Sequence, residues 1–478
     1  MLLLDNEKRS ELWRQLIENI EDYINQIADS PVAPPIDLNK IRRRLEAFDF
    51  NQTVEPLAAL QFAADNLREF QVHTPHPRYF GLFNPAPTAM SIAADALVAA
   101  FNPQLAAWSH NPFASEVERH LILNFAERFG YDLAEADGTF CSGGAEANHT
   151  ALICALVRKF PDFAEGGLRG IEKQPVFYVS AQSHHSFVKA ARFCGLGTDA
   201  VREIKTDAEF KMSVKDLTKQ IEIDRANNFA PFFVVATAGT TNGGVIDDLA
   251  AISEIAVKES LWFHTDAAWG GAAAFVPEMR KLLTGIEQAD SITFDAHKWL
   301  SVPMGAGIFL TRHNQILSEA CRITTDYMPR DASAFGVNDP FAHSMQWSRR
   351  FIGLKVFLSL AVAGWEGYAA AIRHQTAMGD FLRRELEKSD WEIVNHTPLP
   401  VVCFRDKKSG TGKTEDFLMK VANEAVSSGK AWISLTRLNA ETPVLRACIT
   451  NYRTAESDIR FLVRLVDHLR TNNIEDQP

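Results

Sequence analysis

SITFDAHKWL (residues 291–300) joins a short apolar strand to a His-Lys pair. A lysine at the buried end of a strand is costly, because burial disfavours its ammonium form. Desolvation lowers the pKa of such an amine, and the neutral amine can form a Schiff base with a carbonyl compound. Lys298 is therefore a candidate reactive residue; the plainer alternative is a surface lysine just past a strand. Four similar runs lie around it: PVFYVS (175–180), PFFVVATAG (231–239), LWFHTDAA (261–268) and AGIFLTR (306–312). They predict buried strands. Continuous apolar runs suit a parallel sheet covered on both faces, and their alternation with helical stretches predicts an α/β domain. Ligands of such sheets sit at the C-terminal ends of the strands, so polar residues there are the ones to examine.

Asp266 ends one of these strands. A buried carboxylate needs a cationic partner, and the protonated ring nitrogen of pyridoxal phosphate is such a partner. A helix N-cap is the competing role for Asp266. Ala268 is small enough to let a flat ring lie against the backbone. Asp266 and Lys298 are 298 − 266 = 32 residues apart, about one strand–helix–strand unit, which puts both at one sheet edge. FCSGGAEANHTAL (140–152) runs from a strand through Ser142, Gly143 and Gly144 into a helix, and a glycine turn at a helix N-terminus binds phosphate. His184 and His185 follow another strand, where a histidine can stack on a pyridine ring. Together these features supply a phosphate turn, a ring stacker, a pyridinium partner and a Schiff-base lysine in order along one domain.

The rest of the chain frames this domain. It has 478 residues, enough for two or three domains, with 46% hydrophobic and 23% charged residues. A net charge of −11 argues against a general nucleic-acid binder. Six scattered cysteines without a CxxC pair argue against a disulfide framework or a zinc site. No leader peptide or membrane span is expected, and a cytoplasmic location is. Leu12, Leu16, Ile20, Tyr23 and Ile27 recur at helical spacing, and SPVAPP (30–35) breaks that helix. The organisation expected is a helical segment over 1–75, a large domain over 76–345 and a small α+β domain over 346–478. Two motifs mislead. SGTGKTE (409–415) lacks the first glycine of a phosphate loop, since position 407 is Lys, and reads as an exposed loop. GLGTDA (195–200) follows a helix rather than a strand, so Gly195 reads as a helix cap.

With these residues in place, the chain resembles the group II pyridoxal-phosphate-dependent amino-acid decarboxylases. HPRYFGLF (76–83), NPFASEVE (111–118), SGGAEAN (142–148), QSHHS (182–186), TAGTTNGG (237–244), HTDAAWGG (264–271), DAHKWL (295–300), RRFIGLKV (349–356) and LRACITNYRT (445–454) carry the resemblance. It implies the aspartate-aminotransferase fold, with a mainly parallel seven-stranded sheet, a small C-terminal domain and an N-terminal arm that joins a homodimer. It implies that Lys298 carries the cofactor, Asp266 meets its ring nitrogen and His184 stacks on its ring. Gly144, Ala145, Thr241 and His297, with Ser142, Ala268 and Asp295, complete the implied cofactor site. Arg446 is the implied partner of the substrate carboxylate, and Leu82, Phe83 and Trp108 the implied pocket wall. TTDYMPRDASAFGVNDPF (324–341) is polar and aperiodic and predicts a mobile loop. By resemblance, Tyr327 on that loop delivers a proton to the substrate carbon.

Three positions depart from the family pattern. Asp295-Ala296 replaces the frequent Asn-Pro, Trp269 replaces a frequent Tyr, and His185 stands where Ser or Tyr is common. An apolar pocket favours an aromatic amino acid, while HPRYF and QSHHS also match enzymes of acidic substrates. An aldehyde synthase, a transaminase and a non-catalytic pyridoxal-phosphate-binding protein are the rival readings.

Overall fold

The computed structural model describes residues 2–323, 332, 335–408 and 414–475. A seven-stranded sheet forms from β1 (Asp137–Cys141), β2 (Pro175–Ser180), β3 (Val201–Ile204), β4 (Ala230–Thr237), β5 (Trp262–Asp266), β6 (Ser291–Asp295) and β7 (Gly307–Thr311). Their spatial order is β1-β7-β6-β5-β4-β2-β3. β3, β2, β4, β5 and β6 are parallel neighbours; β7 runs antiparallel to both β6 and β1. Every residue of β2, β5, β6 and β7 is buried, as their unbroken apolar runs require. The α/β architecture and the seven-stranded, mainly parallel sheet match the expected fold class.

Between β5 and β6 the chain makes short 3-10 turns, Gly270–Phe275, Arg280–Leu283 and Ile286–Gln288, in place of a full crossover helix. The two strands still pair directly, with Asp266 opposite Thr293, so Asp266 and Asp295 end neighbouring strands two residues out of step. The helix Gly144–Lys159 lies across β4 to β7. Close packing at its start needs bare backbone. A Cβ on Gly307 would sit 2.6 Å from the Gly143 Cα, which no side chain tolerates. Gly195 has φ +76 and its N–H meets the Arg192 carbonyl at 3.1 Å, closing the helix Ser186–Phe193 as a left-handed cap. Residues 409–413 of the other misleading motif lie outside the described residues.

A second sheet, β8 (Trp391–Ile393), β9 (Val401–Asp406), β10 (Ser434–Leu438) and β11 (Thr442–Cys448), is antiparallel in the order β10-β11-β9-β8. Its core includes Trp391, Phe404, Leu418 and Leu462. Phe80 enters this core, with its N–H bonded to the Trp432 carbonyl at 2.8 Å. The segment around residue 80 is thereby pinned next to the strand that carries Arg446. The N-terminal helices Asn6–Gln26, Leu38–Leu45 and Pro56–Phe70 bury almost nothing: Asn19 is the one buried residue assigned to them. Trp13, Ile17, Leu38 and Leu67 stay exposed, and Leu16, Ile20 and Leu60 line an apolar groove of about 330 Å3. Among the described residues, no helix is long and apolar enough to cross a membrane.

Candidate active site

The C-terminal ends of β5 and β6 build the centre of the site. Asp266 is 5% exposed. One of its oxygens accepts the Ala268 N–H at 3.2 Å, and the other accepts Asn148 Nδ2 at 2.9 Å. Both donors are neutral, so a cationic group arriving at Asp266 meets no competing cation among these partners. Asp295, at the end of β6, is 2% exposed. Its Oδ2 stands 2.9 Å from Lys298 Nζ and 3.8 Å from His297 Nε2, while Oδ1 has no hydrogen-bond partner. The helical turn Ala296–Trp299 creates this pairing, because residues three apart on a turn share a face. Lys298 is thus held at the sheet edge by its own strand.

An anion cradle faces these groups. Gly143 precedes the helix Gly144–Lys159 with no side chain capping it. The first N–H groups of a helix have no intrahelical acceptors, so those of Gly144 and Ala145 point out of the helix start. A Cβ on Gly144 would come within 2.9 Å of Asp295 Oδ2 and 3.3 Å of Ala268 Cβ. The cradle is therefore kept open by the absence of a side chain. His297 borders it, with Cε1 3.6 Å from where a Gly143 Cβ would be. Burial lowers the His297 pKa, opposed by Asp295. Ser142, expected in the cofactor site, donates both its N–H and its Oγ to Glu146, at 2.8 and 2.7 Å. Gln346 holds the same carboxylate at 2.7 and 2.9 Å.

His184 follows β2 and accepts the Ser186 N–H at 3.2 Å. The residue is exposed overall, yet crowding around its ring lowers its pKa; Asp266 acts in the opposite direction and Lys298 in the same one. His185 is also exposed.

The wall opposite carries Phe83 and Arg446. Phe83 stacks on Trp269 at 4.5 Å between centroids. Lys298 Nζ lies 5.8 Å from the Phe83 ring and the Arg446 guanidinium 4.9 Å from it. Arg446 is 2% exposed and rigidly held: Nε donates to the Thr241 carbonyl at 2.9 Å and Nη1 to the Gly81 carbonyl at 2.6 Å. Its Nη2 is buried without a partner. A fixed guanidinium with an unpartnered Nη2 amino group suits a carboxylate. Thr241 thus meets the site through its backbone. Leu82 is 54% exposed beside this wall. Trp108 is the clear departure. Its indole bonds Glu116 at 2.9 Å, its N–H bonds Asp339 at 2.8 Å, and it stacks near Phe335. It lines a separate polar cavity of about 360 Å3 that Lys298, Phe83 and Arg446 do not line. Tyr327 lies outside the described residues.

These groups fit pyridoxal phosphate. The open glycine cradle suits its phosphate, Asp266 its ring nitrogen, and Lys298 its carbonyl carbon. Sequence reasoning missed Asn148 and His264, although both stand in quoted motifs. Asn148 falls one helical turn after Gly144, and His264 shares a strand face with Asp266 at period two.

The chain matches the model of the pyridoxal-dependent decarboxylase conserved domain over residues 41–407. It is 32% identical over 464 residues to an aromatic-L-amino-acid decarboxylase of Bacillus atrophaeus, covering 96% of this chain and 94% of that protein. It is 29% identical over 407 residues to the cysteine sulfinic acid decarboxylase of Mus musculus, covering 82% of each. The crystal structure of mouse CSAD in apo form superposes with a TM-score of 0.90 at 26% identity, over 97% of this chain and 99% of that one.

Proposed function

The chain belongs to the pyridoxal-dependent decarboxylase family and is a pyridoxal-phosphate-dependent amino-acid decarboxylase; within that class we propose that it acts on aromatic L-amino acids. The observation that carries this substrate reading is the apolar Phe83–Trp269 wall set between Lys298 and Arg446. A substrate ring can lie against Phe83 while its carboxylate meets Arg446 Nη2, with Leu82 at the rim. Lys298 carries the cofactor, Asp266 holds the ring nitrogen, and His184 and Ala268 bracket the ring. Gly144, Ala145 and His297 surround the phosphate, Thr241 holds Arg446 through its carbonyl, and Ser142 acts through Glu146. Held by these residues, the cofactor would supply a sink for the electron pair of the broken Cα–carboxylate bond. Arg446 orients that bond, the buried walls exclude water, and Tyr327 supplies the proton that replaces the departing carbon dioxide.

The 29% identity to a cysteine sulfinic acid decarboxylase favours a second reading, an acidic amino acid as substrate. Carbon dioxide release across a panel of L-amino acids tests both. Release from tyrosine, tryptophan, phenylalanine or dopa supports the first. Release from glutamate, aspartate or cysteine sulfinate alone replaces it. Product analysis separates amine from aldehyde and from transamination. We also propose a homodimer in which the exposed apolar faces of the 1–75 arm are covered by a second copy, with the large and small domains dividing near residue 345. Light scattering checks the dimer. A cytoplasmic location accompanies this reading, and cell fractionation tests it.

A further inference from the structure

Behind Asp266 runs a line of buried polar groups with no assigned role. Trp262 Nε1 meets Ser291 Oγ at 2.9 Å, and the same Oγ meets His264 Nδ1 at 2.8 Å. His264 Nε2 meets Asn148 Oδ1 at 3.2 Å, with Thr293 Oγ1 beside it at 3.4 Å. Asn148 Nδ2 then meets Asp266 Oδ2 and Ser186 Oγ, both at 2.9 Å. Trp262, Ser291, His264 and Asn148 are each 0–1% exposed, so no bulk water competes.

The direction of every bond is fixed from both ends. An indole N–H only donates. At the other end the carboxylate of Asp266 accepts from Asn148, so the Asn148 amide must turn its NH2 to Asp266 and its oxygen to His264. An amide oxygen only accepts, so His264 Nε2 carries the proton. His264 sits between the rings of Phe187 and Phe233, at 5.9 and 5.8 Å. Burial there pushes its pKa down to about 4, with Asp266 opposing, so near neutral pH it has one N–H. Its Nδ1 is then an acceptor, and Ser291 must donate to it.

We propose that Trp262, Ser291, His264 and Asn148 form a one-way hydrogen-bond chain that positions Asp266 for the cofactor's ring nitrogen, with His264 as the positioning residue that fixes the Asn148 amide. This rests on the reading of Asp266 as the ring-nitrogen partner. Without the chain, Asn148 can turn its oxygen toward Asp266, which sets two acceptors against each other and pushes the carboxylate out of register.

The test uses the holoenzyme and reads the position of the bound cofactor's visible absorption band and its dissociation constant. His264→Phe should weaken cofactor binding about tenfold or more and shift the band, since it strands the Asn148 oxygen. His264→Gln keeps an N–H near the Nε2 position and should restore binding to within about threefold of wild type. Ser291→Ala, a minimal change that frees the His264 tautomer, should show a smaller shift in the same direction; it decides the matter if His264→Phe does not fold. Asp266→Asn separates the two levels of the argument. If Asp266→Asn leaves band and affinity unchanged, the reading of Asp266 fails. If Asp266→Asn alters them while folded His264→Phe or Ser291→Ala leaves both as in wild type, the positioning chain is overturned. Failure of His264→Gln to rescue a folded protein also overturns it.

Discussion

Asp266 and Asp295 end adjacent strands, are buried to within a few per cent of each other, and do opposite things. Asp266 is held by an amide and a backbone N–H, and the amide traces back through His264 to an indole. Asp295 is paired with the Lys298 ammonium three residues away and leaves one oxygen unsatisfied. A buried carboxylate surrounded by neutral donors is a receptor for a cation brought from outside. One already paired with its own lysine is a holder of that lysine. The lesson is that the partners assign the role, since depth and position in the fold are shared.

The largest effect expected comes from removing the ion that distinguishes the two. Lys298→Ala should lower turnover by about 10,000-fold or more, because the reacting amine is gone. Steady-state carbon dioxide release checks it, and a variant near wild-type rate would erase the contrast. Asp266→Asn keeps the shape but removes the charge that a cationic ring nitrogen needs. Its kcat should fall about 100- to 1000-fold, with weaker cofactor retention through gel filtration. Asp295→Asn should matter far less: its partner lysine is engaged by the cofactor in the working enzyme, so kcat should stay within about tenfold of wild type. An Asp295→Asn effect as large as that of Asp266→Asn would show the two carboxylates to be equivalent.

A stability effect, separate from turnover, sharpens the Asp266 side. His264 has its pKa lowered by burial to about 4, against about 6.5 when unfolded. Between those values the unfolded chain binds the proton that the folded chain refuses, so His264 lowers stability as pH falls from about 6.5 to 4. The stability difference between wild type and His264→Phe should therefore shrink by up to about 3 kcal/mol over that window. Urea unfolding at pH 7, 5.5 and 4 measures it, and a difference independent of pH would mean that His264 is not buried as a neutral ring.

Much of this was legible beforehand. The five apolar runs became strands β2, β4, β5, β6 and β7 because each is buried on both faces, which demands uninterrupted hydrophobicity. The reversal of β7 left no mark, since an apolar run reads alike in either direction. β3, VREI, lies at the sheet edge with one buried residue and carried too little hydrophobicity to stand out. Lys298, Asp266 and the glycine turn were legible because each needs a specific chemistry at a strand end. Asn148 and His264 escaped because their roles depend on what they bond, which spacing alone does not reveal. Ser142 and Trp108 show the reverse: expected site positions whose side chains are engaged elsewhere, by Glu146 in one case and by Glu116 in the other.

The central claim is that Lys298, held by Asp295 at the end of β6, carries the cofactor. Borohydride reduction of the holoenzyme, followed by proteolysis and mass spectrometry, tests it most directly. The account predicts one labelled peptide, bearing the reduced phosphopyridoxyl mass on Lys298. The same mass on a different lysine, in a preparation that releases carbon dioxide, would contradict it.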